Sequence, residues 1–361
     1  MNYNIEKQNG VPAYLQLYTQ LRADIVAGVY PFGARLPSKR LLAAELELSV
    51  VTAEHAYALL CEEGYAEARE RSGFFVLYRA SDGFAPAAAP LRRSPQTRHS
   101  DTVVFPFSVL ARTMRAVLSD YGEGVLLRSP NEGCGELRSA LAAYLGRSRG
   151  IHVASSQIVI GSGAEYLYGL LVQLLGRERI FALESPSYNK IRLVYEANGV
   201  VCDMLPLGPE GIVSQALQAT RATVLHVTPF HSFPSGVTAS PSKRREYIRW
   251  ALRRDGYLVE DDFDSEFTVS TKAEDTVFSL APDGPVIYLN TFSKTIAPAI
   301  RVGYMVLPRA LAASFQARLG FYSCTVPVFE QLVLARFIDS GDFERHINRV
   351  RRSNRRAAAK G

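Results

Sequence analysis

The 361-residue sequence predicts a two-part chain: a small helical unit closed by a hairpin, then an α/β body built on a mostly parallel sheet flanked by helices. Three observations carry this. Capped helices and a Ser-Gly turn follow one another across residues 1–79, and residues 80–100 then lose all apolar period. Beyond them, short near-continuously apolar runs alternate with helical segments, as buried parallel strands do. With 47% apolar residues the chain can build a substantial core.

Pro12 starts the first helix, Leu17, Leu21 and Ile25 recur at helical spacing, and Gly28 and Pro31 end it. Ser38, after Leu36 and Pro37, caps a short helix from Lys39 to Leu46. Ser49 caps a third, which runs to Glu63 and stops at Gly64. Tyr65 to Arg71 and Phe74 to Tyr78 flank Ser72 and Gly73 as a hairpin. Short helix, turn, longer helix and wing is the layout that sends the third helix into a DNA major groove, although protein-interaction modules share it. Charge does not favour DNA. Residues 1–78 carry seven Lys/Arg against nine Asp/Glu, a balance of −2, whereas residues 343–361 carry seven bases and one acid, which equals the +6 of the whole chain.

Residues 80–100, rich in Ala, Pro, Ser and Arg, read as a flexible linker that lets the head move relative to the body 101–361. In the body, Arg112 to Leu118 and Leu137 to Leu145 read as helices. Ile158 to Ile160, Ile180 to Leu183, Val224 to Val227, Tyr257 to Val259 and Val286 to Leu289 read as strands, separated by helical segments such as Ala164 to Leu171 and Tyr247 to Arg253. Leu311 to Gly320 and Val328 to Asp339 are helical, and Phe343 begins a helix dense in arginine. Its Arg349, Arg351, Arg352, Arg355 and Arg356 read as the exposed face of that helix in preference to a second nucleic-acid patch.

Two strand ends carry chemistry. The run Val286 to Leu289 breaks into small hydroxyl residues around Lys294, with Arg301 seven positions later. A lysine whose pKa a pocket lowers becomes a nucleophile toward carbonyls, pyridoxal phosphate (PLP) among them, while hydroxyls and an arginine fork can hold a phosphate. An ordinary basic loop fits the same residues. Upstream by 33 residues, Tyr257 to Glu260 runs into Asp261, Asp262, Phe263 and Asp264. A carboxylate at a buried strand end can keep a pyridine nitrogen protonated; loop solvation and metal binding are its alternatives.

GSGAEYL at Gly161 to Leu167, ESPSY at Glu184 to Tyr188, TPFHSFPSG at Thr228 to Gly236, VEDDFDSEF at Val259 to Phe267 and TFSKTIAPAIRVGY at Thr291 to Tyr304 stand together. Their order and spacing resemble those of fold-type I aminotransferases. More narrowly, the chain resembles the MocR-type regulators, which set such a domain behind a GntR-type winged helix-turn-helix. The stretch PFGARLPSKRLLAAELELS, Pro31 to Ser49, resembles the GntR signature and decides for DNA.

The resemblance implies Lys294 as the Schiff-base lysine, Asp261 as the pyridinium partner and Tyr188 stacked on the ring. Ser162, Gly163, Ala164, Thr291, Ser293 and Arg301 would surround the phosphate. Gly163 permits close backbone approach, and the helix opening at Ala164 would point its N-terminus at the anion. In the winged helix, Arg35, Lys39, Arg40, Arg69 and Arg71 would contact phosphates around the caps Ser38 and Ser49 and the wing glycine Gly73. Val51, Thr52 and His55 would read base edges.

Four departures qualify this. Val50 and Glu54 stand where relatives often place bases. Phe263 replaces a Tyr that bonds the ring hydroxyl, and Phe233 replaces the Asn usual in true aminotransferases. The family's small C-terminal domain, which usually brings an Arg for a substrate carboxylate, is expected to be absent. The implied function is a PLP-binding, DNA-binding transcription regulator that answers to an amine, an amino acid or PLP. It is expected to be a homodimer on a double-stranded operator, with half-reaction chemistry conceivable and turnover not expected. An aminotransferase with an accessory DNA-binding domain, or a DNA-binding protein with a degenerate dimerisation body, are the alternatives. A cytoplasmic place is expected, because the start is polar and no apolar run approaches the ~20 residues of a membrane span. Cys61, Cys134, Cys202 and Cys324 lack metal-ligand spacing and read as incidental thiols.

Overall fold

Leu17, Tyr18, Leu21 and Ile25 place one buried stripe along helix α1, Ala13–Val26, and that stripe closes the core of the N-terminal unit. The computed structural model describes residues 3–5, 11–70, 72–79, 105–263, 265–267 and 275–358. It divides into units spanning residues 1–97 and 98–361. The expected linker 80–100 and Arg71 lie outside the described residues.

Both expected serine caps form. Ser38 Oγ accepts from the Leu41 amide at 3.1 Å to open α2, Lys39–Glu45, and Ser49 Oγ accepts from the Thr52 amide at 3.1 Å to open α3, Val50–Glu62. The chain leaves α3 through Gly64 at φ 75°, a left-handed angle that glycine adopts without steric strain. Strands β1, Ala66–Arg69, and β2, Gly73–Val76, pair antiparallel with Arg69 opposite Gly73. Leu42, Ala53, Tyr57, Leu60 and Val76 fill the space against α1, and the Tyr57 hydroxyl donates to Pro37 O at 2.8 Å, holding the turn before α2.

The second unit opens with α4, Phe107–Tyr121, and α5, Gly135–Arg149. Then β3, Ile158–Gly161; α6, Ala164–Leu175; β4, Phe181–Ser185; α7, Asn189–Ala197; β5, Cys202–Gly208; β6, Gly211–Ile212; and α8, Ser214–Ala219 follow. After them come β7, Val224–Val227; α9, Pro241–Arg253; β8, Tyr257–Asp261; α10, Val277–Leu280; β9, Val286–Thr291; α11, Phe292–Thr295; and β10, Gly303–Val306. Helices α12, Arg309–Leu319, α13, Val328–Asp339, and α14, Asp342–Ala358, complete it.

The eight strands lie in the order β3-β10-β9-β8-β7-β4-β5-β6. Strands β5, β4, β7, β8 and β9 run parallel, while β10 lies antiparallel to both β3 and β9. One face is covered by the Leu137, Trp250 and Phe337 cluster, the other by the Leu171, Tyr195 and Phe315 cluster. Strands buried on both faces explain the unbroken apolar runs of the sequence. The strand readings stop short of the real ends, which reach Ser185, Asp261 and Thr291; polar residues there continue the ladder. Strands β5, β6 and β10 escaped periodicity, because β5 is partly exposed and interrupted by Pro206, and β6 is two residues long.

Candidate functional site

The parallel strands bring their carboxyl ends to one edge, and a cavity of about 300 Å³ opens there against the N-terminus of α6. Lys294, Asp261, Tyr188, Ala164, Thr291, Ser293 and Arg301 all line it. The lysine and the aspartate, which the sequence could only pair by resemblance, thus share one space. Gly163 abuts it: at φ 97°, a Cβ there would stand 2.9 Å from Arg301 Nη2. Ser162, half-buried in the same turn, does not itself line the cavity. Lys294 is open to solvent within the cavity and not shut away among the hydroxyls as its sequence neighbours suggested. Its ammonium lies 4.8 Å from the centre of the Phe263 ring.

Asp261 ends β8 at 3% exposure. Its Oδ2 accepts from the Tyr168 hydroxyl and lies 3.6 Å from His226 Nε2, while the Tyr195 hydroxyl and His226 Nδ1 are 2.8 Å apart. Burial, and then the Asp261 charge, push the Tyr168 hydroxyl well above the ordinary phenol pKa, so it stays protonated and donates. Asp261 Oδ1 is buried without a hydrogen-bond partner among the described residues. A buried carboxylate oxygen left bare is costly, and a protonated ring nitrogen placed in the cavity would satisfy it.

At the anion end, Arg301 Nη1 donates to Ser293 Oγ at 3.2 Å and Ser293 Oγ donates to Ile300 O at 2.9 Å. The guanidinium is therefore set beside Gly163 and the first turn of α6, where backbone amides and the helix dipole favour an anion. Glu165 stands in that turn, 3.8 Å from Arg301 Nη2 and 3.1 Å from Lys190 Nζ. Cavity size, cradle and bare carboxylate oxygen fit PLP; Arg301 and Ser293 would hold its phosphate and Asp261 would face its ring nitrogen. When bound, that cofactor supplies an aldehyde with which amines condense and a ring that takes up electrons.

Behind the cavity, the imidazole of His346 on α14 donates from Nε2 to Thr295 O at 2.9 Å, next to Lys294. Burial lowers the His346 pKa. Arg351 Nε donates to Glu266 O at 2.5 Å, so the same helix also holds the turn that follows Asp261. Asp262 points away from the cavity into a buried pairing with Arg149 and accepts from the Tyr288 hydroxyl at 2.7 Å. Sequence reasoning missed Glu165, Tyr168, Tyr195, His226 and His346, and Thr228, which also lines the cavity. The signal for His226 was present: it is the one polar residue in the apolar run Val224–Val227.

In the winged helix, Val51 is 58% exposed on α3 and His55 is exposed beside it, its ring 5.8 Å from that of Tyr14. Thr52 is half-buried, its hydroxyl 2.8 Å from that of Ser49, so both hydroxyls are engaged in the cap. Lys39 Nζ is bound to Glu54 at 2.5 Å and Arg69 to Glu67 at 2.6 Å. Arg35 lies against the wing, its Nε 3.2 Å from where a Cβ on Gly73 would be; Arg40 is exposed. Of the five expected phosphate contacts, two are thus already paired with acids of the same unit, and Arg71 lies outside the described residues.

Residues 13–76 match the bacterial regulatory proteins of the gntR family, and residues 105–359 match aminotransferase class I and II. The uncharacterized HTH-type transcriptional regulator YdeL of Bacillus subtilis is 34% identical over 97% of this chain and 78% of its own length. The probable rhizopine catabolism regulatory protein MocR of Rhizobium meliloti is 29% identical over 96% of this chain and 76% of its own. This chain belongs to the MocR-type HTH transcriptional regulators. A third member, the pyridoxine biosynthesis regulator PdxR of Corynebacterium glutamicum, is 29% identical over 93% of this chain and 75% of its own. Among solved structures, a Pyrococcus horikoshii kynurenine aminotransferase in complex with PMP superposes with TM-score 0.63 at 28% identity, covering 69% of this chain; the chain spans 64% of that enzyme. The MocR-type body therefore has the fold-type I aminotransferase fold, and its cofactor is PLP. No described helix is long and apolar enough to cross a membrane.

Proposed function

We propose that this regulator binds operator DNA through the exposed residues of α3 and reads an amine, an amino acid or PLP itself at the Lys294 cavity. One observation carries the reading: Lys294 and Asp261 line a single cavity in which Asp261 Oδ1 has been left bare for a ligand. Phe233 and Phe263 line the same cavity, at the two positions where the family resemblance leads one to expect the hydrogen-bonding side chains of Asn and Tyr. The site thus keeps the groups that hold and ionise a cofactor and lacks two donors that would steer protons through repeated turnovers. A sensor needs the first set only. To swing a two-state equilibrium from 1:99 to 99:1, an effector must favour one state by about 5.5 kcal/mol, so the contacts that change must be substantial.

Titrating the purified chain with PLP, then with candidate amines, tests this. A visible absorbance band should appear with PLP, vanish in Lys294→Ala and shift with the effector, while several amino acids with oxoacids give no product beyond one half-reaction. Sustained product formation would replace the reading with the aminotransferase alternative.

A homodimer is part of the proposal. Leu126 is 83% exposed, Leu127 70% and Phe321 72%. Their segments are tied by Arg128 Nη2 donating to Ser323 Oγ at 2.5 Å and Asn131 Nδ2 donating to Gly320 O at 2.6 Å. Exposed apolar side chains on two segments tied to one another fit a second copy of the chain. Sedimentation of Leu126→Glu/Phe321→Glu should show a monomer where the parent shows a dimer.

A further inference from the structure

We propose that the solvent face of α14 is a second DNA-facing surface, a row of arginines that grips the phosphate backbone without reading sequence. It rests on the DNA binding of the MocR-type regulators and concerns where the attraction to DNA comes from. Helix α14 has its register set by Phe343, His346 and Ile347, at 1%, 0% and 4% exposure, which bury one side against the body. The opposite side must then carry Arg345, Arg349, Arg352 and Arg356, at steps of four, three and four residues, and all four are exposed. Together they line a shallow strip along the helix, about 16 Å long at 1.5 Å per residue.

Arg345 is held by Asp342 at 2.8 Å, but no carboxylate pairs with Arg349, Arg352 or Arg356 among the described residues. Three unneutralised guanidinium groups in one line stand about 4.5 and 6 Å apart along the helix, and duplex DNA, with a charge about every 1.7 Å of axis, offers each of them phosphates within reach. The row is also rigid. His346 fixes the helix to Thr295 O and Arg351 fixes it to Glu266 O, so its arginines are displayed on a braced support.

The N-terminal unit supplies the second half of the case. Phosphate neutralisation provides most of the sequence-independent affinity of a DNA-binding protein. Yet residues 1–78 have a net charge of −2, and Lys39 and Arg69 are already tied to Glu54 and Glu67. The positive charge of the chain sits in residues 343–361. A reader so poor in available cations needs its attraction from elsewhere, and α14 is where the chain has it.

The test uses the full chain and a random-sequence duplex of about 40 base pairs, its affinity followed between about 50 and 200 mM salt. In Arg349→Gln/Arg352→Gln/Arg356→Gln the slope of log affinity against log salt should fall by up to about 2.7, so the affinity lost across that range shrinks by about 40-fold. The matching triple Lys variant should keep the parent slope, and both variants should keep the PLP absorbance band. A Gln triple with the parent slope overturns the proposal and assigns the stripe to a protein neighbour or to solvent. A Lys triple that loses as much as the Gln triple overturns it too, because phosphate attraction follows charge. If the parent itself shows no salt-dependent binding, DNA recognition as a whole has failed, which is a different result.

Discussion

The cofactor cavity and the winged-helix surface treat their charged groups in opposite ways. In the cavity, Asp261 Oδ1 is buried without a hydrogen-bond partner among the described residues, and Arg301 meets Glu165 only at 3.8 Å. On the winged helix, cations and acids have collapsed onto one another, with Lys39 on Glu54 and Arg69 on Glu67. A rigid frame of buried strand ends can hold polar groups unsatisfied until a ligand arrives. An exposed helix surface in water cannot, so its side chains settle into whatever pairs are near. Preorganisation is therefore visible in the first site and not in the second.

The contrast can be broken most directly at Lys294. Lys294→Ala should abolish the absorbance band with PLP while leaving duplex binding within a few-fold, read by anisotropy; loss of both would mean that the two functions are not separable. Next is Asp261→Asn, which removes the charge from a buried hydrogen bond worth about 1.5–3 kcal/mol and should weaken PLP binding by about 10- to 100-fold.

The acids supply a pH version of the comparison. Burial raises Glu184 to about 7 and Glu260 to about 8 from ordinary values of 4.5. Glu184 accepts from Ser232 Oγ at 2.7 Å, and Glu260 from the amides of Val277 and Phe278 at 2.8 Å. Folded-state values above unfolded ones mean that protonation favours folding, so this contribution is full below about 4.5 and is lost as pH rises through 7 to 8. The melting temperature of the body should fall between pH 5 and about 8, and Glu184→Gln should flatten the fall. In the winged helix the sign reverses, since Lys39 holds Glu54 below its ordinary value.

Smaller effects sharpen the picture. Glu165→Gln should tighten PLP binding a few-fold, because a phosphate would no longer displace a carboxylate from beside Arg301; weaker binding would make Glu165 a ligand-positioning group instead. Ser49→Ala removes the cap of α3 and should destabilise the winged helix by about 1 kcal/mol, seen as a lower melting temperature of its own transition.

Capped helices and apolar strands were legible because their causes are local: Ser38 and Ser49 each bond an amide three residues on. Lys294 and Asp261 became legible as chemistry only through resemblance, because an ordinary basic loop and a solvated or metal-binding carboxylate fit the same strand ends. Tyr168 stayed hidden. It reads as one more apolar position of α6, and only the sheet order carries Asp261 to it across 93 residues.

What the sequence determined alone was where the capped helices and most strands lie and where the cationic charge is concentrated, since each depends on neighbours within a turn or two; the strand ends at Ser185, Asp261 and Thr291 lay beyond its reach. Tertiary structure decided which groups meet: His226 and Tyr195 behind Asp261, Glu165 beside Arg301, and His346 beneath Thr295, 51 residues away. It also split α14 into a buried face and a row of arginines, because the face a helix shows to water is set by what it packs against.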